Sequence, residues 1–136
     1  MNIIDTKEWF RLADQDFLSA KHLTTLTPMP YENISYNCAQ AVEKFLKGFM
    51  TYHQIIPPKT HNLISLIDKC IDIEDTLKSL RIYCLKLNDY TNEIRYPDGP
   101  ETNEYIVEYL INAVEIIANH DVLCTIRRIT LHQSLF

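Results

Sequence analysis

Four polar residues on one helical face are the first place where this chain could do chemistry. Asn37, Gln40, Lys44 and Lys47 lie in the stretch NCAQAVEKFLKGFM, Asn37–Met50. Their steps of three and four residues bring them onto one side of a helix. Two ammonium groups there suit phosphate, and two carboxamides add directional donors and acceptors. The plainer reading is a solvated face, because Glu43 stands four residues before Lys47, the spacing of an ordinary surface ion pair. A second stretch, PPKTH (Pro57–His61), pairs Thr60, placed to cap a helix, with His61 in the first turn that would follow. A helix N-terminus carries free N–H groups and partial positive charge, so His61 there could bind an anion or move a proton. Equally, Thr60 can simply cap while His61 packs its ring against a neighbour. The third stretch is NDYTNEIRYPDG, Asn88–Gly99. Tyr83 and Tyr90 share a helical face just before its end, and Arg95, Tyr96 and Asp98 surround Pro97. An Arg beside a rigid proline can serve as a fixed fork for phosphate or carboxylate. The structural counterpart is a corner in which Arg95 pairs with a buried acid such as Asp16 and Tyr96 covers a helix end.

Other chemistry-bearing residues do not converge. With two glycines in 136 residues, Gly48 and Gly99, the chain has no glycine-rich phosphate loop. No two of the five histidines (His22, His53, His61, His120, His132) have the spacing of helical metal ligands. Glu101, Glu104, Glu108 and Glu115 do not form the Glu-x-x-His pattern of carboxylate-bridged metal bundles. No metal and no cofactor are expected, and no Ser or Cys carries the local signature of an activated nucleophile. Cys38, Cys70, Cys84 and Cys124 are widely spaced, and at least three sit at apolar helical positions, as free thiols in a reducing compartment do. A formal net charge of -5 provides no global basic field, so DNA is not an expected partner and any RNA contact needs a local patch. No signal segment and no apolar run of transmembrane length is present, which points to a cytoplasmic protein without a membrane partner.

The elements that must position these residues read as helices throughout. One domain spans 1–136, with its core at about 9–117 and a tail at about 126–136. The first helix begins at Asp5 or Thr6 and runs to about Leu23 or Thr25, with Trp9, Leu12, Ala13, Phe17, Ala20 and Leu23 as its apolar seam. Asp16 lies inside that seam, either at its wet edge or paired with a cation or hydroxyl from a neighbouring helix. The second helix covers about Tyr31 to Tyr52, with Cys38, Ala41, Val42, Phe45 and Phe49 inward. A third, shorter helix starts at Thr60 and ends near Asp72. The fourth runs from about Asp75 to Thr91 on a seam of Leu77, Leu80, Cys84, Leu87, Thr91 and Ile94. The fifth extends from about Asn103 to Thr125 or beyond, with Ile106, Leu110, Ala113, Val114, Ile117 and His120 inward. No stretch alternates with period two for long enough to make a strand. The expected fold is all-α, an up-and-down bundle of four long helices plus one shorter helix.

Four motifs, in this order, resemble a known family: W-x3-A-x2-D (Trp9, Ala13, Asp16), C-A-Q-A-V-E-K-x2-K (Cys38–Lys47), P-K-T-H-x-L (Pro58–Leu63) and R-Y-P-D (Arg95–Asp98). Together they look like a HEPN domain, the higher-eukaryote and prokaryote nucleotide-binding domain, in its R-Y-P-D-containing branch, over about Trp9 to Ile117. The resemblance implies a helical bundle, often a homodimer, frequently associated with a minimal nucleotidyltransferase on a neighbouring polypeptide. It also implies that Lys44, Lys47, His61, Arg95, Tyr96 and Asp98 line one shared groove, with nucleotide or RNA phosphate as the suggested ligand. Another branch cleaves RNA with an Arg-x4-6-His pair facing its symmetry mate, His acting as acid–base and Arg stabilising charge. Here no His follows Arg95 closely, and Arg127–His132 matches that spacing only in the tail, beyond the matched core.

Three readings follow from these residues. In the first, the chain is a binding module for nucleotide or RNA phosphate: Lys44, Lys47 and Arg95 neutralise charge, His61 donates, and Tyr90 or Tyr96 stacks on a base. In the second, it is a metal-independent ribonuclease toxin of a toxin–antitoxin pair, for which only His61 and Arg95 could supply the catalytic pair. In the third, it is a protein–protein interaction module whose polar residues are internal structure. The missing Arg-x4-6-His pair weighs against the enzyme.

Overall fold

One helix, α2 (Tyr31–Tyr52), is enclosed by most of the others in the computed structural model, which describes residues 3–92 and 97–133. The remaining elements are α1 (Ile3–Leu23), α3 (Leu63–Ile73), a 3-10 segment (Asp75–Leu80), α4 (Arg81–Leu87), a second 3-10 turn (Asn88–Tyr90), α5 (Glu104–Ala118) and α6 (Asp121–Gln133). The protein is all-α, with six α-helices and no strand among the described residues. No helix among those residues is long and apolar enough to cross a membrane.

The reason α2 becomes the hub lies in its sequence. The inward set expected for it (Cys38, Ala41, Val42, Phe45, Phe49) is fully buried, and so are Ile34, Ala39, Leu46 and Met50 on its other sides. A helix with buried apolar residues on several sides must be surrounded, and α2 packs against α1, α3, α4, α5 and α6. Its most extensive interface is with α1. There Gly48 lets the helices approach closely: a Cβ at that position would stand 2.7 Å from Cε1 of Phe10. The buried line of α1 is Thr6, Phe10, Ala13, Phe17 and Ala20. The expected seam placed Trp9 in that line; Trp9 is only half-buried, and Phe10 takes the inner position because Gly48 leaves room for its ring.

α2 ends in a Schellman turn. The N–H of Ile55 bonds the Met50 carbonyl and the N–H of Gln54 bonds that of Thr51, both at 3.0 Å. Gln54 takes the left-handed conformation this closure requires, with φ 62°. Pro57 and Pro58 then keep the chain extended until α3. The expected cap of α3 was Thr60, with His61 in its first turn. The cap is instead Asn62, whose Oδ1 accepts from the N–H groups of Ile64 and Ser65, so His61 precedes the helix. Asn88, from the far end of α4, accepts from the N–H of Leu63 at 2.8 Å and completes that helix start.

Two further expectations are corrected. The single helix over about 75–91 is a 3-10 segment, a short α-helix and a 3-10 turn, although Leu77, Leu80, Cys84 and Leu87 are buried as anticipated. The fifth helix breaks after Ala118, and His120 is not part of its inner side. Nδ1 of His120 accepts from the N–H of Val122 at 3.2 Å, capping α6, while Nε2 lies 3.3 Å from the Thr76 carbonyl. Residues expected as a tail therefore belong to α6, which buries Leu123, Ile126 and Thr130. All four cysteines are free thiols, and Cys38, Cys70 and Cys84 are buried. Burial pushes the Cys38 and Cys84 thiols up to about 12 and that of Cys70 well above its ordinary range.

Candidate functional site

Because α2 is enclosed, its polar row is not an open face. Glu43 and Lys47 stand one turn apart, with side chains 5% and 8% exposed, and Lys47 Nζ meets Glu43 Oε2 at 3.1 Å. A buried charge survives only when paired and hydrogen-bonded, and Glu43 is satisfied on both oxygens. Its Oε1 lies 2.7 Å from Nδ1 of His61, delivered by the Pro57–Asn62 loop. The ammonium of Lys47 also sits 5.7 Å from the ring centroid of Trp9, a cation–π arrangement from α1. Three segments distant in sequence thus meet around the Glu43–Lys47 pair.

The loop is built to hold His61 in place. The N–H of Thr60 bonds the Pro58 carbonyl at 2.9 Å, and the N–H of Asn62 bonds Thr60 Oγ1 at 3.1 Å. His61 stands between these two turns with its side chain 71% exposed. An ionised carboxylate only accepts, so Nδ1 carries a hydrogen toward Glu43. In the neutral ring Nε2 is then the basic nitrogen; in the protonated ring it is a donor. No described residue hydrogen-bonds that nitrogen. This is an oriented imidazole backed by a buried carboxylate, able to donate to an anion or to exchange a proton.

The other expected site residues fall elsewhere. Lys44 pairs with Asp16 of α1, a cation from a neighbouring helix reaching the acid in the α1 seam. Asn37 and Gln40 are half-buried further toward the start of α2. Tyr90 is buried, and its hydroxyl donates to the Glu101 carbonyl at 2.7 Å, tying the end of α4 to the segment before α5. Burial, with Asp89 and Glu101 nearby, raises the Tyr90 phenol above its ordinary range, so it stays protonated as a donor. Tyr90 also lines a cleft of about 450 Å³ with Glu32, Tyr36 and Asp89. Tyr36 and Glu43 are seven residues apart on α2, about 10 Å along its axis. The cleft and the Glu43 cluster are therefore separate places. Asp98 is exposed in the turn after residue 96. Arg95 and Tyr96 lie outside the described residues, and Arg127 pairs with Asp14 of α1.

Sequence reasoning missed the roles of Glu43 and Trp9. The Glu43–Lys47 spacing was visible, but nothing local marked the pair as buried. Among the described residues no three His, Cys, Asp or Glu side chains converge on a point where a metal ion could sit.

Comparison with curated proteins and with solved structures returns no match. The HEPN domain model matches residues 6–123, which covers α1 from its fourth residue, α2 through α5 and the first residues of α6, and includes Trp9, Glu43, Lys47 and His61. With that match over most of its length, the chain belongs to the HEPN domain family.

Proposed function

We propose that this protein is a small cytoplasmic binding module that takes a nucleotide or RNA phosphate at His61. In this reading the long helices act as an up-and-down bundle, and the module works as a homodimer beside a minimal nucleotidyltransferase partner. The observation that carries the reading is the Glu43–His61 contact, 2.7 Å long, which fixes an otherwise exposed ring. The protonated ring presents Nε2–H to a phosphate oxygen. Lys47 offsets the carboxylate's charge, so the cluster as a whole carries a positive charge when His61 is protonated. Arg95 supplies a second cation and Tyr96 a ring on which a base can stack. Lys44, held by Asp16, has a scaffolding role.

The same contact favours one second reading, metal-independent RNA cleavage with His61 as acid–base and Arg95 opposing the transition-state charge. Calorimetric titration with mononucleotides and short RNAs tests the binding, run on the wild type, His61→Ala and Arg95→Ala. Wild-type binding that drops about tenfold in His61→Ala, measured at a temperature where the variant remains folded, is the expected result; a charged hydrogen bond of this kind contributes that much. Equal affinity in His61→Ala, or no binding by the wild type, would overturn the proposal. RNA shortened by the wild type and spared by His61→Ala would select the second reading.

A further inference from the structure

A separate cleft lies between α1 and α6, on residues that the Glu43 cluster does not use. We propose that it binds a small amphiphilic anion: a short apolar body with a phosphate or carboxylate head. Its volume is about 490 Å³, within the range of small-molecule sites. Lys7, Arg11, Arg127 and Arg128 all line it, four of the thirteen Lys and Arg in a chain of net charge -5. Asp14 is the lone lining carboxylate, and Glu8 pairs with Arg11 from beside the cleft. Four cations and one carboxylate thus line the cleft, in a protein that is otherwise acidic. The region attracts anions while most of the surface repels them.

The cations are not all loose. Nη2 of Arg127 donates to both oxygens of Asp14, at 2.6 and 2.7 Å. The same guanidinium lies 5.1 Å from the ring centroid of Phe45. Arg127 is thus fixed before any ligand arrives, which removes much of the ordering cost of binding. Arg128, beside it, is exposed and makes no ion pair among the described residues. The walls differ in kind from the rim. Phe10, Cys124 and Leu131 contribute to an exposed lining that is mostly apolar. A hydrated inorganic anion would leave those walls wet, and an uncharged apolar molecule would leave the cations without a counter-charge. An amphiphilic anion satisfies both, with its head at Arg127 and Arg128 and its body over Phe10 and Leu131.

Titration of the full chain with hexyl phosphate, followed by calorimetry and backbone amide shifts, tests this. Inorganic phosphate and hexanol serve as controls, with Arg128→Glu and Leu131→Glu as variants, both at exposed positions. The expected result is saturable one-to-one binding of hexyl phosphate, at least about tenfold tighter than either control. Each variant should weaken it by about tenfold or more while keeping the wild-type melting temperature. His61→Ala should bind it unchanged, which separates this site from the nucleotide site. Inorganic phosphate binding as tightly as hexyl phosphate would reduce the cleft to a basic patch and overturn the proposal. So would undiminished binding in both variants, or shifts that map away from Phe10, Arg127 and Arg128.

Discussion

Glu43–Lys47 on α2 and Glu8–Arg11 on α1 are both carboxylate–cation pairs within one helix, at spacings of four and three residues. From the sequence they are near equivalents. In the folded protein the first pair is 5% and 8% exposed and the second 52% and 57%. The difference comes from the partners of each helix. α1 keeps one side to solvent, whereas α2 is surrounded, so its charges must find each other or remain unsolvated. Glu8–Arg11 is a solvated pair of little consequence. Glu43–Lys47 is a buried pair that also orients His61, and only such a pair can both constrain the fold and shape a site.

Breaking the buried pair should give the largest effect. Lys47→Met leaves Glu43 buried without its cation, and the expected loss is about 3–5 kcal/mol in chemical denaturation. Adding Glu43→Leu should recover most of that loss, because two apolar side chains leave no uncompensated charge. A loss below about 1 kcal/mol in the single variant would mean that water reaches Glu43, and the contrast with Glu8 would collapse. Next in size is Gly48→Ala, which tests the close α1–α2 approach that encloses the pair. The new methyl meets the Phe10 ring, so overpacking should cost about 1–3 kcal/mol. An unchanged or raised stability would show that Phe10 moves freely and that the enclosure is looser than described.

The exposed pair should show the smallest effect, visible only in its pH and salt dependence. The Arg11 guanidinium, hydrogen-bonded to Glu8, holds that carboxyl below its ordinary range. A depressed folded pKa contributes stability above the ordinary carboxylate value and loses it as pH falls through the depressed value. Arg11→Ala should therefore narrow the stability difference between neutral and acid pH slightly, and only at low ionic strength. A difference that persists in high salt would contradict the solvated description of this pair.

Much of the fold was legible from local pattern. The bounds of α2, Tyr31–Tyr52, follow from its apolar run and from the prolines on either side. Cys38, Cys70 and Cys84 are buried where the periodicity of their helices placed them. The misread points share a cause, since each depended on a contact from far along the chain. Thr60 and Asn62 are both good capping residues, and the pull of Asn88 on the Leu63 N–H helps choose between them. Nothing in the local sequence IIANH (Ile116–His120) forbids a helix through Asn119 and His120, since it contains neither Gly nor Pro; the His120 ring turns to cap α6 and to approach Thr76. Trp9 and Phe10 are adjacent and equally apolar, and Gly48 on another helix selects Phe10 for the core.

The sequence by itself determined the all-helical class, the main helices and the charge pairs within them. These depend on residues a few positions apart, and periodicity reports them directly. Tertiary structure decided which of those pairs is buried, where His61 points and that a basic cleft exists. The Glu43–His61 contact joins residues 18 apart and the Asp14–Arg127 contact residues 113 apart. Dielectric environment and convergence of charge at those distances are properties of packing, and no local spacing encodes them.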